Sequence, residues 1–217
     1  MNLALKTLPR RKQAERSALS DQRMLDAAVR LIVQKGSAGT TLKEVGELAG
    51  YSRGLASARF GNKGALSAFI VRAVGEEWLG ALGTAVTDKV GLSAICAALD
   101  AHYAFVSEGT DRIRAFYSLW FDSIGPDAGL KQVIANVHER RQRDVEAWIR
   151  GGIAQGEIPA EVPVISIAQQ FCAAVIGIVY QWLVRPDATD AIRQLHEGLK
   201  QQMTLALSAP VPGGNAP

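Results

Sequence analysis

The sequence predicts an all-α protein of about nine helices: an N-terminal three-helix head built around a helix-turn-helix, then a larger C-terminal helical body. Three observations predict it. Apolar residues recur at helical spacing along nearly the whole chain and almost nowhere alternate as in a strand. Glycine and proline fall between those periodic stretches, at Gly109, Gly125-Pro126, Gly156–Pro159 and Arg185-Pro186, where helices must stop. Residues 41–60 read TLKEVGELAGYSRGLASARF, two short helical stretches around a glycine turn.

Residues 1–19 are polar and basic and are expected as a flexible arm. The first helix starts from a Ser20 cap, carries Leu25, Ala28, Val29, Ile32 and Val33 as its apolar stripe, and ends at Lys35-Gly36. Thr41-Leu-Lys-Glu44 is a capping box, in which the Thr41 hydroxyl accepts the free Glu44 N–H while that carboxylate reaches back. The second helix follows to Ala49 and closes at Gly50. Ser52 caps a third short helix reaching about Phe60, and Asn62 caps a fourth running into the eighties. The body helices are expected from about Leu92 to Ser107, Asp111 to Ser123, Pro126-Asp127 to Gln155, Pro163 to Val184 and Asp187 to Leu207. Ser208–Pro217 is a Pro/Gly/Ala tail with nothing to bury.

Composition narrows the class. With 48% apolar residues in 217, the chain can bury a sizeable core without disulfides or metal. Cys96 and Cys172 lie far apart, each in an apolar run, and read as core thiols of a reducing compartment. Met1–Leu8 is not read as a secretory signal, so a cytoplasmic location is expected. The net charge of +3 hides an uneven split: residues 1–72 carry 13 Lys and Arg against 5 Asp and Glu, and residues 73–217 carry 11 against 16. A head of +8 on a body of −5 suggests a polyanion partner for the head; chance clustering of solvated charges is the plainer alternative.

Within residues 41–60, two crossing helices need a small residue at the crossing, a turn glycine and apolar contacts beneath. Gly46 is the small residue, Gly50 the turn, and Val45, Leu48, Ala49, Leu55 and Ala56 the apolar side. In such a motif the second helix enters the major groove with its N-terminus first.

With its flanks, this segment resembles the tetracycline-repressor (TetR/AcrR) family. The resemblance is carried by residues 25–31 (LDAAVRL), Lys35-Gly36, Thr40-Thr41, AGYSRG at 49–54, Phe60-Gly-Asn-Lys63 and Leu66, over about residues 20–72. It implies a DNA-binding head over 20–72 and an effector-binding and dimerisation body over 73–207. It implies phosphate contacts for Thr40, Thr41 and Lys63, and an opening of the recognition helix at Ser52, Arg53 and Gly54. Arg53 is the candidate for a base edge, because its fork matches guanine. Lys43, Tyr51 and Arg59 complete the candidate DNA face, with Ser57 and Ala58 standing where the family usually carries an aromatic and another large residue. That phosphate anchor is therefore missing, and the basic arm (Arg10, Arg11, Lys12, Arg16) is a candidate substitute. Plainer readings stand beside these: Thr41 and Ser52 as caps alone, Tyr51 as turn packing, Phe60 as a core plug, and residues 1–19 as a solvated tail.

In the body, residues 162–184 hold no charge, and 17 of the 23 are apolar. That length permits a membrane span, but Pro163, Gln169-Gln170, Gln181 and the lack of a paired basic flank favour a helix buried in a dimer core. With the last helix (Ile192, Leu195, Leu199, Met203, Leu207) it predicts a four-helix bundle across a two-fold axis, and hence a pseudo-palindromic operator. No membrane partner is expected. Candidate effector contacts are Cys96, His102, Tyr103, Phe116, Trp120, Phe121, Val137, His138, Phe171 and Val175, an aromatic set suited to a lipophilic molecule, with His102, His138, Tyr103 or Asp122 orienting its polar end. Many of these are equally ordinary core. Three scattered histidines lack metal-ligand spacing, and no G-x-S-x-G, phosphate-cradling loop or Cys/His motif is found, so no metal, cofactor or catalysis is expected. Effector binding would redirect the fourth helix at Gly75, Gly80 and Gly83. The alternatives are an activator or co-regulator, a helical small-molecule-binding protein with weakened DNA binding, and a helical enzyme.

Overall fold

The structure, a computed structural model, describes residues 8–108, 110–125 and 128–208. Among these residues the chain forms helices and no strand: α1 (Leu8–Gly39), α2 (Leu42–Leu48), α3 (Leu55–Phe60), α4 (Lys63–Val86), α5 (Gly91–Ser107), α6 (Asp111–Asp122), α7 (Ala128–Ala154), α8 (Val164–Val184) and α9 (Thr189–Ser208). This is the all-α architecture expected, with a helix-turn-helix head and a helical body.

Two starts differ from expectation. Helix α1 begins at Leu8 and runs through Ser20, which therefore sits mid-helix and is no cap. Residues 10–19 are mostly Arg, Lys, Gln, Glu, Ala and Leu, all strong helix formers, and Pro9 stands in the first turn, where its missing N–H costs nothing. The rest of the expected arm, residues 1–7, and residues 209–217 of the expected tail lie outside the described residues, as do Gly109, Pro126 and Asp127. The break at the other end of α1 falls at Gly36 (φ 78°), after which one further turn reaches Gly39. Helix α9 begins at Thr189, since Pro186–Ala188 form the turn that follows α8.

The chain divides into two compact units. One takes residues up to Ala73 together with Arg114–Lys131; the other takes Val74–Ile113 and the chain from Gln132 onward. In the first, Met24, Leu25, Ala28, Val29 and Ile32 of α1 are buried, Phe60 stacks tilted on Phe69 at 5.2 Å, and Phe116, Tyr117 and Trp120 form an aromatic cluster. The Ser37 hydroxyl, just after the Gly36 break, donates to the Asp122 carboxylate at the end of α6. That bond, with no effector involved, is where the structure places Asp122.

In the second unit α9 packs against both α5 and α8. The buried stripe of α9 is Ile192, His196, Leu199, Met203 and Leu207, so a histidine takes the place assigned to Leu195. Those apolar residues are core of the single chain. Helix α8 buries Ile167, Phe171, Val175, Ile178 and Trp182 on one side and exposes an uncharged stripe on the other: Ile165, Gln169, Ala173, Gly177, Tyr180 and Val184. It is thus half-covered within one chain, where burial on nearly all sides was expected. It is also the one helix among the described residues long and apolar enough to cross a membrane.

Candidate nucleic-acid interface

The head is built on two terminations. At the start of α2 the capping box forms: Glu44 N–H donates to Thr41 Oγ1 at 3.3 Å, and the Thr41 N–H donates to Glu44 Oε2 at 3.2 Å. Lys35 reaches the same carboxylate at 2.6 Å; that contact first, and the Thr41 hydroxyl second, pull the Glu44 carboxyl down to about 2. At the end of α2, Tyr51 N–H donates to Gly46 O and Gly50 N–H to Glu47 O, with Gly50 at φ 81°. This paired closure satisfies the last carbonyls and turns the chain sharply.

The turn brings α3 close over α2. A Cβ on Gly46 would sit 3.0 Å from the Ser52 carbonyl oxygen and 3.6 Å from Ala56 Cβ, so the small residue is required where the helices cross. Helix α3 buries Ala56 and leaves Ser57, Ala58 and Arg59 exposed. Its regular part starts at Leu55, with Gly54 in the cap position and no side-chain cap. The expected Ser52 cap is thus replaced by a backbone turn, Leu55 N–H to Ser52 O at 3.0 Å, because Arg53 and Gly54 complete a turn before the helix begins. Asn62 does cap α4, its Oδ1 accepting from Ala65 N–H at 2.8 Å.

The candidate DNA residues divide by what already holds them. Lys43, Ser52, Gly54, Ser57 and Ala58 are exposed, and Tyr51 is half-buried at the turn. Thr40 is buried, its hydroxyl donating to the Gly36 carbonyl across the α1 break. Lys63 Nζ donates to the Ala38 carbonyl at 2.9 Å. Arg53 Nε donates to Glu47 Oε1 at 2.6 Å. Arg59 meets Asp21 of α1 with two parallel bonds, at 2.9 and 2.5 Å, and that carboxylate raises the guanidinium pKa above its already high ordinary value. Of the arm, Arg16 is exposed on α1; the side chains of Arg10, Arg11 and Lys12 lie outside the described residues.

The candidate effector residues fall into both units. Phe116, Trp120 and the half-buried Phe121 belong with the head; Phe116 and Trp120 join through Tyr117 in its aromatic cluster. In the other unit, His102, Phe171 and Val175 are buried, and Cys96, Tyr103, Val137 and His138 are half-buried. Burial pushes the Cys96 thiol up. His102 meets a residue that sequence reasoning missed: His196, with Tyr103 edge-on to the same imidazole at 5.4 Å. The signal was present in its spacing, four residues after Ile192 and three before Leu199 on an otherwise apolar stripe.

A sharply turned pair of short helices, with the second exposed on one face, is a helix-turn-helix. The family model for bacterial regulatory proteins of the tetR family matches residues 24–68. The probable HTH-type transcriptional regulator ArpR of Pseudomonas putida is 23% identical over 84% of this chain and 89% of its own length. SmeT, repressor of a Stenotrophomonas maltophilia multidrug efflux pump, superimposes with a TM-score of 0.72 at 22% identity, covering 91% of this chain and 96% of SmeT; a second SmeT structure is a triclosan complex. FadR of Bacillus subtilis in complex with stearoyl-CoA gives 0.71 at 17%, covering 86% and 97%. The chain thus matches the tetR-family model over its head and is similar to TetR-family transcriptional regulators in fold along most of its length.

Proposed function

We propose that this protein is a ligand-responsive transcription repressor of the cytoplasm, binding a pseudo-palindromic operator as a homodimer and released by a small lipophilic effector. The observation that carries the reading is α3: a short helix fixed by Gly46 and Gly50, with Ala56 turned inward and Ser57, Ala58 and Arg59 outward. Lys43, Tyr51, Ser52, Arg53, Ser57 and Lys63 are the proposed contacts, with Thr41 serving as cap and phosphate neighbour together. Thr40 is left out because its hydroxyl is buried.

The uncharged stripe of α8 supports pairing of two copies. On α9, Gln194, Gly198, Gln201 and Leu205 form a second uncharged strip, and Leu205 is 71% exposed. Gly177 and Gly198 have open space where a Cβ would stand, so a second helix pair can approach closely there. These strips replace the Leu199 and Met203 face first assigned to the dimer. For the effector, His102, Tyr103, Phe171 and Val175 are the proposed contacts in the body unit. Triclosan, found with one structural neighbour, is lipophilic, and stearoyl-CoA, found with another, carries a long apolar acyl chain. To empty the operator, the effector must favour the released state by about 5.5 kcal/mol if a 99:1 balance is to become 1:99.

Selection from random duplex DNA at two salt concentrations tests the reading. Enrichment of an inverted repeat is expected, with affinity falling as salt rises by about 0.9 log units per log unit for each neutralised phosphate. A monomer retained on no duplex in dilute buffer overturns it.

A further inference from the structure

We propose that Glu47 is a positioning residue for operator reading: from α2 it holds the Arg53 guanidinium by Nε and leaves the two Nη groups to meet a guanine edge, whereas Asp21 of α1 holds Arg59 back from that task. The proposal deepens the DNA-binding reading above and rests on it.

Arg53 stands just before α3 and Arg59 in its last turn, and the two are held in different ways. Arg53 gives Nε alone to Glu47, at 2.6 Å, with its side chain 74% exposed. An arginine this exposed samples many rotamers, and fixing it at binding costs affinity. The carboxylate removes much of that freedom beforehand and, by taking Nε, leaves the Nη edge, two parallel donors, out of the ion pair. That edge matches O6 and N7 of guanine. An exposed ion pair contributes little to folding, so orientation is the larger effect of the contact. Arg59 instead gives both Nε and Nη2 to the two Asp21 oxygens, so the edge that could have forked a base or phosphate is occupied.

Glu47 has a second effect. A carboxylate beside the recognition helix repels phosphate on every duplex alike, while the guanine bond compensates only on the right sequence. Discrimination rises at the expense of raw affinity.

The test uses the full chain, random duplex libraries and four proteins: the parent, Arg53→Ala, Glu47→Gln and Asp21→Asn. The parent is expected to prefer guanine at one position of each half-site, and Arg53→Ala to erase that preference. Glu47→Gln is expected to weaken the same preference about three- to tenfold while other positions keep theirs, and to raise affinity for non-specific duplex. A fold defect would instead lower affinity for every sequence together. Asp21→Asn is expected to free Arg59 for one more phosphate, steepening the log–log salt dependence by about 0.9. If Arg53→Ala erases the preference and Glu47→Gln leaves it whole, the positioning role is overturned and base reading by Arg53 stands. If Arg53→Ala leaves it whole, or the parent shows no preference, both are overturned. An unchanged salt dependence in Asp21→Asn overturns the role given to Asp21.

Discussion

His102 Nδ1 lies 2.9 Å from His196 Nε2, joining α5 to α9 through two buried imidazoles. The other nitrogen of His196, Nδ1, faces the Ile192 carbonyl at 2.8 Å and must carry a proton to bond it. In the neutral ring Nε2 is then bare, so His102 Nδ1 is the donor. The order His102 N–H, His196, His196 N–H, Ile192 O runs one way and requires an uncharged His196; the burial of His102 disfavours charge on the other ring.

Acid should therefore loosen the body. Burial first, then Arg141 and His196, push the His102 pKa well below its ordinary value; burial first, with Lys200 in support, lowers His196, while the bond to the Ile192 carbonyl and, behind it, Glu197 and Asp100 oppose. Below about pH 6.5 the unfolded chain takes up protons that the folded chain refuses, so stability falls by up to about 1.4 kcal/mol per pH unit for each ring. Above that pH these rings contribute no slope. Urea unfolding between pH 8 and 5 measures this, and a flat profile in that range would contradict the neutral pair.

Replacing Thr41 by Ala removes the cap of α2 and should cost about 1 kcal/mol of stability, with Thr41→Ser close to the parent. The Glu44 carboxyl, held at about 2, makes the same corner acid-sensitive: its contribution is complete above about pH 4.5 and is lost as pH falls toward 2. Helicity followed by circular dichroism through an acid titration, parent against Glu44→Gln, reads that difference.

At the turn, Gly50→Val places a β-branched residue at φ 81° and should cost about 1–2 kcal/mol or more, with Gly50→Asn milder. Gly46→Val adds a clash with the Ser52 carbonyl. Both variants should lose retention on DNA in a filter-binding assay while far-ultraviolet dichroism keeps most of its helical signal.

Much of this head was legible beforehand because its signals are local. The Thr41–Glu44 box, the Gly46 crossing, the Gly50 turn and the Asn62 cap each depend on residues within ten positions of one another, and each formed as read, although Leu48 and Leu55, read as apolar contacts beneath the crossing, are exposed. The Ser52 cap failed because the two residues after it close a backbone turn that no side-chain preference reveals. What stayed hidden is long-range. The partners of Arg59 and Asp122 lie 38 and 85 positions away, and the His102–His196 contact spans 94. No periodicity encodes such pairs. His196 was overlooked for a related reason: a polar residue on an apolar stripe is easily passed over for its neighbour Leu195.

The dimer reading makes its own prediction. Ala173→Glu puts a carboxylate in the middle of the exposed α8 stripe, where a second copy would bring another against it. Such a pairing costs several kcal/mol, and about 3 kcal/mol would weaken association more than a hundredfold. Sedimentation at micromolar concentration should show half the parental mass with unchanged helicity. The same substitution at Ala147, exposed on α7, should leave the mass as it was.

The grouping of Arg114–Lys131 with the first seventy-odd residues bears on how such regulators are re-engineered. A chimera cut after α4 would transplant a reading head stripped of Tyr117, Trp120 and the Asp122 acceptor of Ser37, and would inherit foreign side chains in their place. Grafts that carry the later segment along should keep their sequence preference; grafts that leave it behind should not.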